Sequence, residues 1–281
     1  MNLIQQINNT QILPNSLAIW WLGQMGIVIK GSDAVLYIDP CLTNDVAERH
    51  GDWWERAFPP PILPEQVTNA DFCLITHEHG DHFDKATIAP MAKASPKAKF
   101  VAPRWCKPKF QAIELERSRY ILPKALETIY LPKSKIRITP VPSAHYDLGY
   151  DEQKGYRWYG YIIEWNGVTI YHAGDTILYP RYIDTLKQLP KADIAILPVN
   201  GRDWYREHQN DVTGNLHPTE AAMLANEMDW NLLLIGHNDL YPNNTIPNSE
   251  IVAALDKHAP QQAFKMMKAG ELLYYLKPEK K

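Results

Sequence analysis

The chain reads as an α/β protein of stacked layers, and three observations predict this. Short β-type runs crowd the first forty positions, strand-length runs then alternate with helical segments, and the composition is that of a globular protein. With 45% hydrophobic and 22% charged residues, it sits near the average for soluble domains, which argues against disorder. Its 281 residues would allow one large domain or two small ones, and a single unit of that size removes about three quarters of its unfolded surface from water. No low-complexity tract, Gly/Ser linker or long charge run divides it, so residues 1–281 are expected to form a single domain.

Leu17–Leu22, Ile27–Lys30 and Ala34–Ile38 are separated by Gly23, Gly26 and the turn Gly31-Ser32-Asp33, the punctuation of hairpins. Phe72–Thr76 is a further apolar run of strand length. Lys99–Ala102, Ile136–Pro142, Tyr159–Trp165, Val168–His172, Ile194–Val199 and Leu232–Gly236 read the same way. A helix is predicted over Lys85–Lys93 behind Asp84, a good N-cap. Another is predicted over Thr219–Glu227 behind Pro218, where Ala221, Ala222 and Ala225 suit close packing on a sheet. Ser249–Lys257 is the third, with Glu250 in its first turn. Arg56–Pro64 is too rich in proline for a central strand or a helix interior and predicts a surface loop. Strands mixed with helices and hairpins give the layered architecture.

Charge and composition exclude several function classes. A formal net charge of −3 gives no basic excess for nucleic acid. The N-terminus has no basic start followed by an apolar run, unlike a secretory signal. A membrane span needs roughly 20 apolar residues, and the apolar run from Leu17 to Lys30 is shorter and broken by glycines. A soluble cytoplasmic protein is expected, with homo-oligomerisation left open. Cys41, Cys73 and Cys106 are odd in number and lack C-x-x-C spacing, so they read as small buried hydrophobes. Trp20 and Trp21 read as packing residues.

The chemistry concentrates in Thr76-His77-Glu78-His79-Gly80-Asp81-His82, directly after a buried strand. Residues two apart in an extended segment point the same way, so His77 and His79 can reach one point. Gly80 is expected to let the chain turn, leaving Asp81 and His82 at the mouth of the next helix. Imidazoles and a carboxylate are the donors that suit zinc, iron and manganese. The alternative, a solvated histidine-rich turn, is disfavoured by three further metal-competent residues at strand ends: His145, Asp175 and His237. Strand ends are where ligands bind in open α/β sheets.

An H-x-H-x-D-H run followed by a distant His, an Asp and a final His resembles the signature of the metallo-β-lactamase superfamily, and the likeness spans nearly the whole chain. It implies a four-layer αββα sandwich with metals at one edge of two facing sheets. The family pattern puts one divalent ion on His77, His79 and His145 and a second on Asp81, His82 and His237, with Asp175 bridging. Zinc and manganese are the ions considered. The implied chemistry is hydrolysis by a hydroxide shared between the metals, with Asp81 orienting it and shuttling its proton.

His172 is expected to be a buried hydrogen-bonded residue behind the ligands rather than a ligand. His217, at a helix start, Arg202, after a strand, and Tyr146, beside His145, are candidate contacts for a small anionic substrate. Each also has an ordinary reading: surface residue, solvated arginine, core tyrosine. His50, His208 and His258 receive no role. The segments Trp20–Gly26, Tyr37–Pro40, Tyr171–Asp175 and Gly236–Asp239 resemble the branch of L-ascorbate-6-phosphate lactonases, which implies opening of a sugar-acid lactone. His145 stands where those lactonases appear acidic. The loop Arg56–Pro64 and the pair Asp39-Pro40 also resemble phospholipase D-like phosphodiesterases of that branch, although no amphipathic membrane-binding helix is evident. A non-catalytic binding protein is the remaining alternative, and it would be expected to have lost ligands.

Overall fold

The computed structural model describes residues 2–278, so Met1 and residues 279–281 of the expected domain lie outside the described residues. Fourteen strands form two seven-stranded sheets. The first sheet contains β1 (Ser16–Gly23), β2 (Gly26–Lys30), β3 (Val35–Ile38), β4 (Phe72–Leu74), β5 (Lys99–Val101) and β6 (Tyr120–Ile121), with β14 (Leu272–Leu276) closing its other edge against β1. The second contains β7 (Ile129–Tyr130), β8 (Arg137–Pro142), β9 (Tyr159–Trp165), β10 (Val168–His172), β11 (Ile194–Pro198), β12 (Leu232–Gly236) and β13 (Phe264–Lys265) in consecutive order.

Each sheet is a hybrid. β1 to β3 pair antiparallel, as the glycine-bounded hairpins demand, whereas β3 to β6 pair parallel. In the second sheet β7 to β10 are antiparallel and β10 to β13 parallel. The parallel halves send several strand ends to one edge of the molecule, and every metal-competent residue predicted above lies just beyond a strand end.

Burial on both faces explains why the strands read as near-continuous apolar runs. Ile19, Trp21, Ile27, Ile29, Leu36 and Ile38 of the first sheet meet Tyr161, Ile163, Ile170, Ile194 and Ile196 of the second in one central cluster. Alternation puts neighbours on opposite faces: Trp21 belongs to this inner layer, while Trp20 packs outward with Tyr37, Cys73, Ile88, Met91 and Phe110. On the far side Ala195, Leu197, Leu233 and Ile235 pack beneath Ala221, Ala222, Ala225, Ile251 and Leu255. Helices therefore cover both outer faces, and the αββα order follows.

Helices expected over Lys85–Lys93, Thr219–Glu227 and Ser249–Lys257 form Lys85–Ala94, Pro218–Met228 and Asn248–His258. The Asp84 side chain accepts the Ala86 N–H at 3.0 Å, as an N-cap should. Five short helices escape the sequence reading: Leu3–Asn9, Asp45–His50, Lys107–Ala112, Tyr182–Lys187 and Trp204–Asn210. None is longer than seven residues, too few to display a helical period. The run Phe72–Thr76 leaves the ladder after Leu74. The cause is local: Thr76 N–H donates to the Asp39 side chain at 2.8 Å.

Candidate metal centre

The C-terminal edge of β4 and the turn beyond it build the floor of the site. His79 O accepts from both His82 N at 3.1 Å and Phe83 N at 2.7 Å, and this tight turn folds His82 back toward His77. Gly80 does not have the positive φ that a glycine-only turn would require. A Cβ there would lie 2.7 Å from the tip of the Arg49 guanidinium, a flexible side chain able to move aside, so the position does not demand glycine. Glycine is needed for its backbone at Gly174, where φ is +63° and a Cβ would meet Tyr159 O at 2.5 Å. That close approach delivers Asp175 to the cluster.

All seven expected ligands converge. His77, His79 and His145 present donor atoms within 4.8 Å of one another, and so do Asp81, His82 and His237. Asp175 groups with His77 from the first set and His82 from the second. Its Oδ2 lies 4.0 Å from His77 Nε2, 3.8 Å from His145 Nε2 and 3.2 Å from His237 Nε2, while Oδ1 lies 3.3 Å from His82 Nε2. Asp81 Oδ2 is 3.4 Å from both His82 Nε2 and His237 Nε2. One carboxylate thus spans two clusters.

Orphaned polar atoms test whether these residues fit metal. His77 Nε2, His82 Nε2 and Asp175 Oδ1, all turned toward the cluster, are buried without a hydrogen-bond partner. Leaving several such groups unpaired in one place costs about 1–3 kcal/mol each, and divalent cations are the partner these donors suit. A buried His77 Nε2 with its lone pair free, rather than a proton to place, is what ligation requires.

Protein groups fix the other ring nitrogens. His82 Nδ1 donates to Asp39 Oδ2 at 2.8 Å, and that oxygen also accepts from Thr76 Oγ1 at 2.6 Å. Thr76 Oγ1 in turn lies 3.0 Å from His77 Nδ1. A single buried carboxylate therefore sets the orientation of two imidazoles, the usual arrangement behind metal-binding histidines. His172 sits behind the ligands too, with Nε2 2.9 Å from Met25 O and Nδ1 accepting from Gly174 N at 3.2 Å. Asp39 and Gln24, which the sequence analysis places only within resembling segments, contact the cluster directly, and the signal for Asp39 was its position immediately after a parallel strand.

Burial pushes His77 and His79 down and takes His145 to about 3, so these rings are neutral. For His82 and His237 burial acts in the same direction, but the carboxylates of Asp175 and Asp81 overcome it; His82 rises well above the ordinary value and His237 reaches about 9. Burial would raise the two carboxyls. The neighbouring His82 and His237 rings instead hold both well below the usual carboxylate range. Without metal the centre therefore pairs two protonated rings with two ionised carboxylates, and a cation must displace those protons to enter.

A cleft of about 510 Å³ opens above Asp81, His79, His145, Asp175 and His237. Its walls include Arg49, His50 and Trp54 on one side and residues 210–213 on the other, so His50, given no role from sequence, lines the opening. The expected substrate contacts are distributed differently. Arg202 does not line this cleft: its guanidinium forks onto Glu220 at 2.8 and 2.7 Å and donates to Asn215 O. His217 occupies the N-cap position of the helix Pro218–Met228, where its backbone N–H donates to Glu220 Oε2 at 2.9 Å, and is likewise absent from the lining. Tyr146 is absent from the lining as well; its hydroxyl is bonded to Glu207 and accepts from Gly214 N at 3.3 Å, behind the segment 211–213 that walls the cleft. His208 stacks on Trp204 with ring centroids 5.0 Å apart. Cys41, Cys73 and Cys106 are free and buried. No helix among the described residues is long and apolar enough to cross a membrane.

Comparison with known proteins agrees with this geometry. Residues 35–238 match the family described as the Beta-lactamase superfamily domain. A metal-dependent hydrolase of Pyrococcus furiosus is 30% identical over 191 residues, covering 65% of this chain and 72% of that one. A protein of Escherichia fergusonii named a probable L-ascorbate-6-phosphate lactonase is 22% identical, covering 89% of this chain and 77% of its own. Among solved structures, a metallo hydrolase from Ignicoccus hospitalis superposes with a TM-score of 0.69 at 18% identity, over 92% of this chain and 98% of that one. With its matched span covering the sheet edge that gathers the seven donors, the chain belongs to the metallo-β-lactamase superfamily, as a metal-dependent hydrolase.

Proposed function

We propose that this hydrolase opens the ring of a small anionic lactone, of the sugar-acid or sugar-acid phosphate class, with two divalent ions, zinc or manganese, in the cluster. The observation that carries the reading is the cleft itself. It has the volume of a small-molecule site, opens directly onto Asp81, and has polar walls that include Arg49 and His50. The distant likeness to lactonases supports the same substrate class.

When bound, the ions would supply Lewis acidity and bring the ionisation of water close to neutral pH. His77, His79 and His145 would hold one ion, Asp81, His82 and His237 the other, and Asp175 both. The ionised carboxylate of Asp81, at the cleft floor, accepts the proton of the attacking water. The same group returns that proton to the ring oxygen as the acyl–oxygen bond breaks, which completes hydrolysis without net proton uptake at the residue. Arg49, the sole arginine in the cleft wall among the described residues, is held by Asp45 Oδ2 through Nε at 2.7 Å and Nη2 at 2.6 Å, which leaves its Nη1 to meet a substrate carboxylate or phosphate.

The decisive measurement is metal content followed by turnover of the zinc- and manganese-loaded protein on a panel of lactones and phosphodiesters. Lactone opening is expected. Phosphodiester cleavage without lactone opening would replace this reading with a phosphodiesterase. A fully loaded centre that turns over neither class would indicate a binding protein.

A further inference from the structure

We propose that Gln24 is a positioning residue: by donating to Asp81 Oδ2, its buried amide pins that oxygen among the His82 and His237 rings and leaves Oδ1 to handle the proton in the cleft. The role given to Oδ1 rests on the proposed proton shuttle of Asp81, whereas the pinning of Oδ2 does not.

Gln24 Nε2 lies 2.8 Å from Asp81 Oδ2. It is also 3.0 Å from His237 Nε2. The amide orientation follows from chemistry, because an amide oxygen at 2.8 Å from a carboxylate oxygen would be repelled. Between the two neighbours the carboxylate is the lasting partner. A His237 Nε2 lone pair directed at a cation cannot also accept an N–H. Asp81 Oδ1 has no hydrogen-bond partner among the described residues, and Asp81 lines the cleft. The two oxygens are thus sorted by one donor.

The backbone around Gln24 is built to hold that donor still. Gln24 is 1% exposed and adopts φ +62°, an uncommon conformation for a residue with a side chain. Its N–H donates to Asp239 Oδ1 at 2.8 Å, and its carbonyl accepts from His237 N at 2.7 Å. Asp239 is fixed in turn by the Trp21 indole N–H at 2.7 Å. His237 also has a positive φ, +59°. Two strained turns from opposite sheets are therefore stitched together at the residue whose amide reaches Asp81. Backbone strain tends to persist where surrounding contacts over-determine it, commonly at functional sites.

A double-mutant cycle tests the assignment, combining Gln24→Met, which keeps length and removes the donor, with Asp81→Ala, which removes the acceptor. Manganese affinity by competition with a fluorescent chelator is the first readout. Loss of an outer partner of a ligand should weaken binding about tenfold in Gln24→Met, with the melting temperature of the metal-free protein little changed. That tenfold loss should vanish in the Asp81→Ala background. Wild-type affinity in Gln24→Met, or an equal loss in both backgrounds, would overturn the proposal. Turnover of L-ascorbate 6-phosphate, a lactone of the proposed anionic class, is the second readout: kcat should fall about tenfold with KM held. If manganese coupling is present but wild-type protein opens no lactone, the lactonase reading fails and the pinning of Asp81 stands.

Discussion

The floor of the cleft and its rim are built on different physical terms. The floor side chains sit beyond strand ends, and all but His79 and Asp81 are buried. Their rings are tied back through Thr76 and Asp39 to the sheets. The rim is the short helix Trp204–Asn210 and the segment after it, with Trp204 63% and Tyr205 61% exposed and Tyr146 lying across it at φ +74°. Chemistry needs sub-ångström placement and is carried by the scaffold; selection of substrate is left to parts that can change without disturbing it. Substitutions on the floor should therefore act on metal and kcat, and substitutions on the rim on KM.

The largest effect is expected at Asp81. Asp81→Ala should retain the fold and lower kcat/KM by about 10²–10⁴, the range for losing a positioned acid–base group. Steady-state kinetics on the metal-reconstituted protein, with circular dichroism as the folding control, checks this. Full activity would remove Asp81 from the mechanism. One layer further back, Asp39→Asn keeps the shape but takes a charged acceptor from His82. An outer-partner change of this kind costs about 10–100-fold in metal affinity or activity, measured by metal titration. An effect as large as that of Asp81→Ala would blur the distinction between ligands and their supports.

A third test uses protons. His82 and His237 hold protons more tightly in the metal-free folded chain than the ordinary histidine value of 6.5, His237 up to about 9. Their contribution to metal-free stability is full below that ordinary value and, for His237, is lost as pH rises through about 9. Incoming cations must displace these protons. Metal affinity should therefore strengthen with pH by up to about tenfold per unit per proton across 6.5–9. Calorimetry in buffers of different ionisation enthalpy would count the protons released, and zero release would contradict the protonated, metal-free nest.

The floor was legible in the sequence because ligation leaves a contiguous trace. Three imidazoles and a carboxylate packed between Thr76 and Phe83 have few other uses, and His145, Asp175 and His237 follow predicted strands. Sheet strands buried on both faces were equally plain. Invisible strands included the two-residue pieces Tyr120–Ile121, Ile129–Tyr130 and Phe264–Lys265, fixed only by neighbours already in place, and the partly exposed edge strand Leu272–Leu276, whose place is set by pairing with β1. Asp39 and Gln24 escaped for a related reason, as one carboxylate or amide gives no sign of its partner until the fold joins positions 39 to 82 and 24 to 81. Arg202 shows the reverse case, a residue whose two sequence readings, anion contact or solvated side chain, both leave out its partner. An arginine after a strand suggested an anion site, yet the helix it faces supplies Glu220.

Tyr146 offers the smallest and sharpest test of the rim. Its side chain is 43% exposed, and its hydroxyl joins Glu207 and Gly214, so it braces the segment over the cleft rather than any ligand of the floor. Tyr146→Phe removes the hydroxyl and releases both partners to water, where Glu207 can be solvated. Stability should change by less than about 0.5 kcal/mol, as for most surface substitutions. KM should shift a few-fold while kcat at saturation and metal content stay at wild-type values, the pattern of a contact made equally in ground and transition states. A fall in kcat with KM unchanged would instead put this hydroxyl in contact with the reacting atoms. It would then belong with the floor, and the boundary between rigid chemistry and adaptable selection would run along a different residue.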